Sequence, residues 1–353
     1  MTPQPTSVPV YIMTTTAYGG QNGTNGSECP HTDAWDWVYT MQPVYIWIVA
    51  VLGIICNVFV LLVFCLHKKP CTVAEIYLSN LAAADLVLTS CLPFWATYVA
   101  NEFNWPFHPS LCQLVNLGIK MNVYCSIYFL VMVSIDRFVA LVHTMSHGRM
   151  RRPKYAKLGC LLVWVFGLIL SVPTLMFRVV KYIPEYHITA CYLEYPNTTV
   201  ELVCDGIMIV VSFVIPISII TYCTIKIIQA LKDQAVERFN SENSERKATK
   251  LVLAVLLAFL FCWLPFHLLT TVDVFLKAMA MEDCLLIETI DICSQIFTYL
   301  AFFNSVLNPI LYVIVGKNFR KKAQEVFQQL SVRRILMSES SRSNTSSTLK
   351  TFL

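Results

Sequence analysis

Residues 251–272 read LVLAVLLAFLFCWLPFHLLTTV, with no Asp, Glu, Lys or Arg among them. A helix needs about 20 such residues to cross the ~30 Å hydrocarbon of a bilayer. The segment sits inside an apolar run over about 247–277. Six more runs of this kind lie at about 43–66, 75–100, 109–143, 155–177, 202–231 and 286–315. Lipid offers the backbone no hydrogen-bond partners, so only helices and closed barrels span it. Barrel strands alternate over about ten residues, which these runs do not. The sequence therefore predicts an all-α fold, a seven-transmembrane helix bundle over 43–315.

Composition agrees. Of 353 residues, 56% are hydrophobic and 14% charged, and mean hydropathy is +0.59. A soluble domain carries about a quarter charged residues, so too few are present to coat a soluble surface. The net charge of +4 is small, and no basic stripe with interleaved aromatics points to nucleic acid. The 14 cysteines form no CxxC pair, which disfavours zinc. Most lie in apolar stretches, where a free Cys acts as a small hydrophobe.

Short-loop Lys and Arg orient the bundle. Lys68 and Lys69 lie in one inner loop. Arg149, Arg151, Arg152, Lys154 and Lys157 lie in the next, and Lys232, Arg238, Arg246, Lys247 and Lys250 in the third. Lys317, Arg320, Lys321 and Lys322 follow the last span. The opposite loops carry Glu102, Glu185, Glu194, Glu201, Glu282, Asp283 and Glu288 against Arg178, Lys181 and Lys277. Residues 1–42 hold no Lys or Arg and two glycosylation sequons, at Asn22 and Asn25, as an extracellular tail would. They show no basic start or apolar core of a cleavable signal. A third sequon, Asn197, falls outside as well; one at Asn344 falls inside and is discounted. Phe319, Ala323, Val326, Phe327 and Leu330 recur at helical spacing beside a basic face. They predict an amphipathic helix on the inner leaflet over 316–330. Residues 331–353 read as a disordered Ser/Thr-rich tail.

Each span carries one unusual feature. They are Gly53-x-x-x-Asn57, Leu81-Ala-Ala-Ala-Asp85, Asp136-Arg137-Phe138, Trp164, Pro216 with Tyr222, Cys262-Trp-Leu-Pro265 and Asn308-Pro-Ile-Leu-Tyr312. A charge at mid-bilayer is costly and by default functional. Pro265 and Pro309 each remove a backbone hydrogen bond and kink their helices. Taken together and in order, these features resemble the rhodopsin-like family of G-protein-coupled receptors.

The resemblance implies a receptor in the plasma membrane that couples to a heterotrimeric G protein, and no catalytic residues. It places Ser126, Asn304 and Asn308 around Asp85 as a sodium pocket; a neutral, hydrogen-bonded Asp is the competing reading. It makes Arg137 a latch with Asp136 and with Glu245. It makes Tyr222, Trp263, Pro265, Asn308, Pro309 and Tyr312 parts of the activation switch. Phe138 departs from the family's usual Tyr. The resemblance also implies the disulfide Cys112–Cys191; Cys29 and Cys284 are the other exposed outer pair, which would tie the N-tail to the third outer loop, with two free thiols as the competing reading. The tail, including Ser338, Ser340, Ser341, Ser343, Thr345, Ser346, Ser347 and Thr348, suits receptor kinases followed by arrestin. No Cys follows Cys293 to carry the palmitoyl anchor common in the family.

Longer stretches are similar to the kinin receptors. They are Thr72-Val-Ala-Glu-Ile-Tyr-Leu78, Leu92-Pro-Phe-Trp95, Phe103-Asn-Trp-Pro-Phe107, Thr144-Met-Ser-His-Gly-Arg-Met150, Ile188-Thr-Ala-Cys191 and Val313-Ile-Val-Gly-Lys317-Asn-Phe-Arg320-Lys. That likeness implies a short peptide ligand with an N-terminal Arg, held by Asp273 and Asp291. Asn122, Arg178, Trp263, Phe266 and Gln295 would line the pocket, and a Gq-class G protein acting on calcium would sit inside. Lys120 would attract a peptide's C-terminal carboxylate and repel a C-terminal Arg side chain, as in the subtype that takes kinins lacking their last Arg. The second inner loop and Glu245-Arg246 look more like the other subtype. A chemokine- or angiotensin-type receptor and a membrane transporter are the rival readings. Against them stand an N-tail with only Glu28, Asp33 and Asp36 as acids, and the lack of an internal repeat.

Overall fold

The structure, a computed structural model, describes residues 34–142, 152–184, 187–237, 243–279 and 284–331. Within these, the side chains of 34–39, 231–252, 284 and 288 lie outside the description. The bundle is formed by α1 (Ala34–Leu66), α2 (Val73–Ala100), α3 (Pro109–Val142), α4 (Pro153–Phe177), α5, α6 (Asn243–Ala278) and α7 (Cys284–Ile314). Helix α5 is α-helical over Thr198–Ile209, widens to a π-helical stretch at Val210–Val214, and resumes over Ile215–Glu237. Seven described segments are long and apolar enough to cross a membrane, the first being Thr40–Leu66. Helices run past the spans read from sequence because hydropathy marks the hydrocarbon crossing and not the helix end.

Helix α3 is central, packing on α2, α4, α5, α6 and the first strand. The lipid side is apolar: Ile55, Leu161, Ile169, Leu257 and Phe261 are all exposed. Polar groups point inward, so Asn57, Asp85, Asn122 and Asn308 are buried. Helices α1 and α2 meet closely at Gly53, where any β-carbon would collide with the Thr89 side chain. Helix α2 starts with a capping box in which Thr72 and Glu75 satisfy each other's backbone N–H.

Two proline sites show how the sequence repairs its own ladder. Pro309 has no N–H for the Ser305 carbonyl one turn earlier. Asn57 Nδ2 of α1 supplies the missing donor at 2.9 Å, while also bonding the Gly53 carbonyl. In the π-helical stretch the ladder runs five residues back, as Ile215 N–H bonds Val210 O. Continued to Pro216, it would orphan the Val211 carbonyl. Tyr128 Oη of α3 donates to that carbonyl at 3.0 Å.

Outside the membrane, β1 (Arg178–Ile183) and β2 (Ile188–Leu193) form an antiparallel hairpin with Val180 opposite Cys191. Hydropathy and charge alone mark this segment only as an outer loop. The Cys112–Cys191 disulfide pins the hairpin to α3. Tyr98 holds Cys191 from the α2 side, its Oη accepting from Cys191 N at 3.0 Å and donating to Cys191 O at 3.2 Å. Phe103 and Trp105 of the first outer loop are buried edge-on against Tyr98.

Inside, residues 317–331 form a last helix, α8. Phe319 packs on Phe64, Phe59 and Tyr312. Lys322 pairs with Glu75 at 2.9 Å, and Glu325 with His67 at 2.9 Å. The His67 hydrogen bond holds the Glu325 carboxyl below its ordinary range.

Candidate ligand cavity and transmembrane switch

The outer half of α5 leans on α6, while α3 joins α5 chiefly from the π-helical stretch inward. That leaves the outer ends of α3 and α5 spanned by long side chains. Lys120 Nζ reaches Met208 Sδ of α5 at 3.0 Å. Glu201, Asp205 and Met208 sit at successive turns of one α5 stripe. Lys277 of α6 ties this stripe's outer end, bonding Glu201 at 3.1 Å and Asp273 at 2.8 Å. Asp205 lies between, within electrostatic reach of both Lys120 and Lys277.

Arg178 opens β1 and is only 6% exposed. Its Nη2 donates to Asn116 Oδ1, whose own amide bonds the Cys112 carbonyl at 2.8 Å. Arg178 Nε and Nη1 have no partner among the described residues. Burial pushes its guanidinium down to about 10, opposed by Tyr98 and Tyr195, so it stays charged at neutral pH. A buried cation with open donors can be met by a carboxylate through a charge-assisted bond.

Beneath this region Trp263 is buried, 5.9 Å from both Phe259 and His267, with Phe266 edge-on at 5.8 Å. His267 also stacks on Phe213 of α5 at 4.8 Å. Pro265 lies inside α6 beside this cluster. Gln295 is buried on α7, accepting from Tyr299 at 3.1 Å and Gln42 at 3.4 Å. Asp291 is half-buried two turns into α7.

Asp85 is fully buried and accepts from three side chains: Asn308 at 2.9 Å, Ser305 at 3.0 Å and Asn122 at 3.1 Å. Asn122, expected from the resemblance to line the peptide pocket, bonds Asp85 in this arrangement. Residues two apart on a helix face opposite ways, so Lys120 toward α5 turns Asn122 toward α2. Ser126, expected on Asp85, instead donates to the Asn122 carbonyl at 2.6 Å. Asn304 Oδ1 and Asn308 Oδ1 are buried acceptors with no described donor.

At the inner end Arg137 binds Asp136 through Nε at 3.0 Å and through Nη2, both residues being 6% exposed. Phe138 packs against Tyr222 at 5.8 Å, and Tyr222 is otherwise exposed. Tyr312 is buried beside Phe319. The Glu245 and Cys284 side chains, and Cys29, Asn22 and Asn25 entirely, lie outside the described residues. Sequence reading missed Asp205 and His267 and gave Glu201 and Lys277 no role beyond loop charge. The Asp273–Lys277 spacing of four was the one available signal.

Residues 56–312 match the model of the seven-transmembrane receptors of the rhodopsin family. The chain is 46% identical to the B2 bradykinin receptor of Rattus norvegicus, over 98% of this chain and 89% of the relative. It is 49% identical to the B2 bradykinin receptor of Homo sapiens, over 87% of this chain and 79% of that one. The B1 bradykinin receptor of Macaca mulatta is 38% identical over 88% of each. These matches make the chain a receptor and not an enzyme, and set aside the transporter reading. The chain is a multi-pass plasma-membrane protein that belongs to the rhodopsin family of seven-transmembrane receptors, in the group that holds the bradykinin receptors.

Proposed function

We propose that this receptor is activated by kinin peptides and signals through a Gq-class G protein to calcium. The observation that carries the reading is the charge order of the outer cavity. Arg178, with two open donors, and Lys120 offer cations to a peptide's C-terminal carboxylate. Asp273, Glu201 and Asp291 offer carboxylates to an N-terminal Arg, and Lys277 now pairs with two of them. A peptide cationic at its head and anionic at its tail matches that order. Taken alone, Lys120 favours kinins that lack their last Arg.

Peptide contact at Phe266 and His267 loads Trp263, and α6 swings at Pro265, separating its inner end from α3. The Asp136–Arg137 pair then opens and the G protein enters. A sodium ion fits the middle of this path. Asp85 with the open Asn304 and Asn308 oxygens supplies the oxygen ligands a hard cation takes, and would hold the resting arrangement. Receptor kinases and arrestin act on the Ser/Thr tail. Asn197 is exposed and uses Oδ1 to cap α5 at 2.9 Å, leaving Nδ2 for a glycan.

The test is calcium release in cells expressing the receptor at their surface, given intact bradykinin or the peptide without its last Arg. A response at nanomolar peptide is expected, blocked by a Gq inhibitor. Silence to both peptides refutes the kinin reading.

A further inference from the structure

On the kinin reading Lys120 offers a cation to the peptide's C-terminus, yet it does not stand alone. Its ammonium rests on the Met208 thioether, a weak acceptor. One turn outward on the same face of α5 stands Asp205. Asp205 is half-buried, within electrostatic reach of Lys120 and Lys277. The two opposite charges lie within electrostatic reach across the gap between α3 and α5. Glu201, the next acid up the stripe, is taken by Lys277. Asp205 is therefore the carboxylate left closest in register to Lys120.

We infer that Asp205 is a specificity-determining residue that lets this receptor accept a peptide with an intact C-terminal Arg. The proposal rests on the kinin reading above. A C-terminal arginine carries two charges on one residue: an α-carboxylate and a guanidinium. Arg178 and Lys120 meet the first, and Asp205 meets the second. Without Asp205, Lys120 and Arg178 would repel the guanidinium, and the site would favour the truncated peptide. With it, Lys120 and Asp205 are a plus–minus pair that matches the terminal residue. A charge-assisted bond of this kind is worth roughly 10- to 100-fold in affinity.

The test is displacement of a labelled kinin from membranes holding the full receptor, wild type against Asp205→Asn. Three competitors are used: the intact peptide, the peptide lacking its last Arg, and the peptide ending in citrulline, the neutral isostere of Arg. Wild type should prefer Arg over citrulline by roughly 10- to 100-fold. Asp205→Asn should turn that preference toward citrulline and leave the truncated peptide unchanged. The citrulline comparison needs no receptor variant, so it stands even where Asp205→Asn fails to reach the membrane. Equal binding of Arg and citrulline peptides to wild type overturns the inference, as does an equal loss for all three peptides in Asp205→Asn. A wild-type receptor at the surface that binds none of the three refutes the kinin reading itself.

Discussion

Replacing Asn57 by Ala should destabilise the bundle through a carbonyl 248 residues away. Asn57 is fully buried and donates 2.9 Å bonds to the carbonyls of Gly53 and Ser305. The first loss is mild, since the Gly53 carbonyl keeps its helical partner. The second is not, because Pro309 offers Ser305 no N–H. An orphaned buried carbonyl costs about 1–3 kcal/mol. At about 2–4 °C per kcal/mol for a domain of 150–250 residues, thermal unfolding of purified receptor in detergent should fall by several degrees. Pro309→Ala restores the donor, so it should matter far more in the Asn57→Ala background than alone. A coupling of about 1–2 kcal/mol is expected from the double-mutant cycle. An unchanged Tm for Asn57→Ala, or strictly additive effects, would refute the repair of the α7 ladder by α1.

Tyr128→Phe removes the donor to the Val211 carbonyl that Pro216 leaves open. It should cost about 1 kcal/mol by the same unfolding measurement, while Tyr128→Phe with Pro216→Ala should recover most of it. Asp136→Asn keeps an acceptor beside Arg137 but removes the charge. Charge-assisted bonds are about twice as strong as neutral ones, so the resting state loses about 1 kcal/mol. Ligand-free nucleotide exchange on the G protein should then rise roughly fivefold, and no rise would deny the latch.

The seven spans were legible because the bilayer demands contiguous apolar residues, and 251–272 meets that demand without help from any partner. Asp85, Pro265 and Pro309 were legible because each is an expense in lipid and stands out against its neighbours. What stayed hidden depends on distant pairing. Asn57 shows as an oddity in α1, yet nothing local says that it serves Ser305. The π-helical stretch lies within an unbroken run of Val, Ser and Phe, whose hydropathy does not register an extra residue per turn. Asp205 was overlooked because its neighbours Glu201 and Lys277 read as ordinary loop charge; only packing of α5 on α6 turns them into a stripe facing Lys120. The bond from Asn122 to Asp85 was hidden for the same reason: the rotation of Asn122 on α3 goes with where Lys120 points.

The most direct test of the central claim is the distance between spin labels on the inner ends of α3 and α6, measured by pulsed electron resonance in nanodiscs. With saturating kinin and nucleotide-free G protein the separation should lengthen, and Arg178→Gln should need much more peptide to reach it. An unchanged distance in the fully loaded complex would contradict the view that a peptide held at the outer cavity opens the inner one.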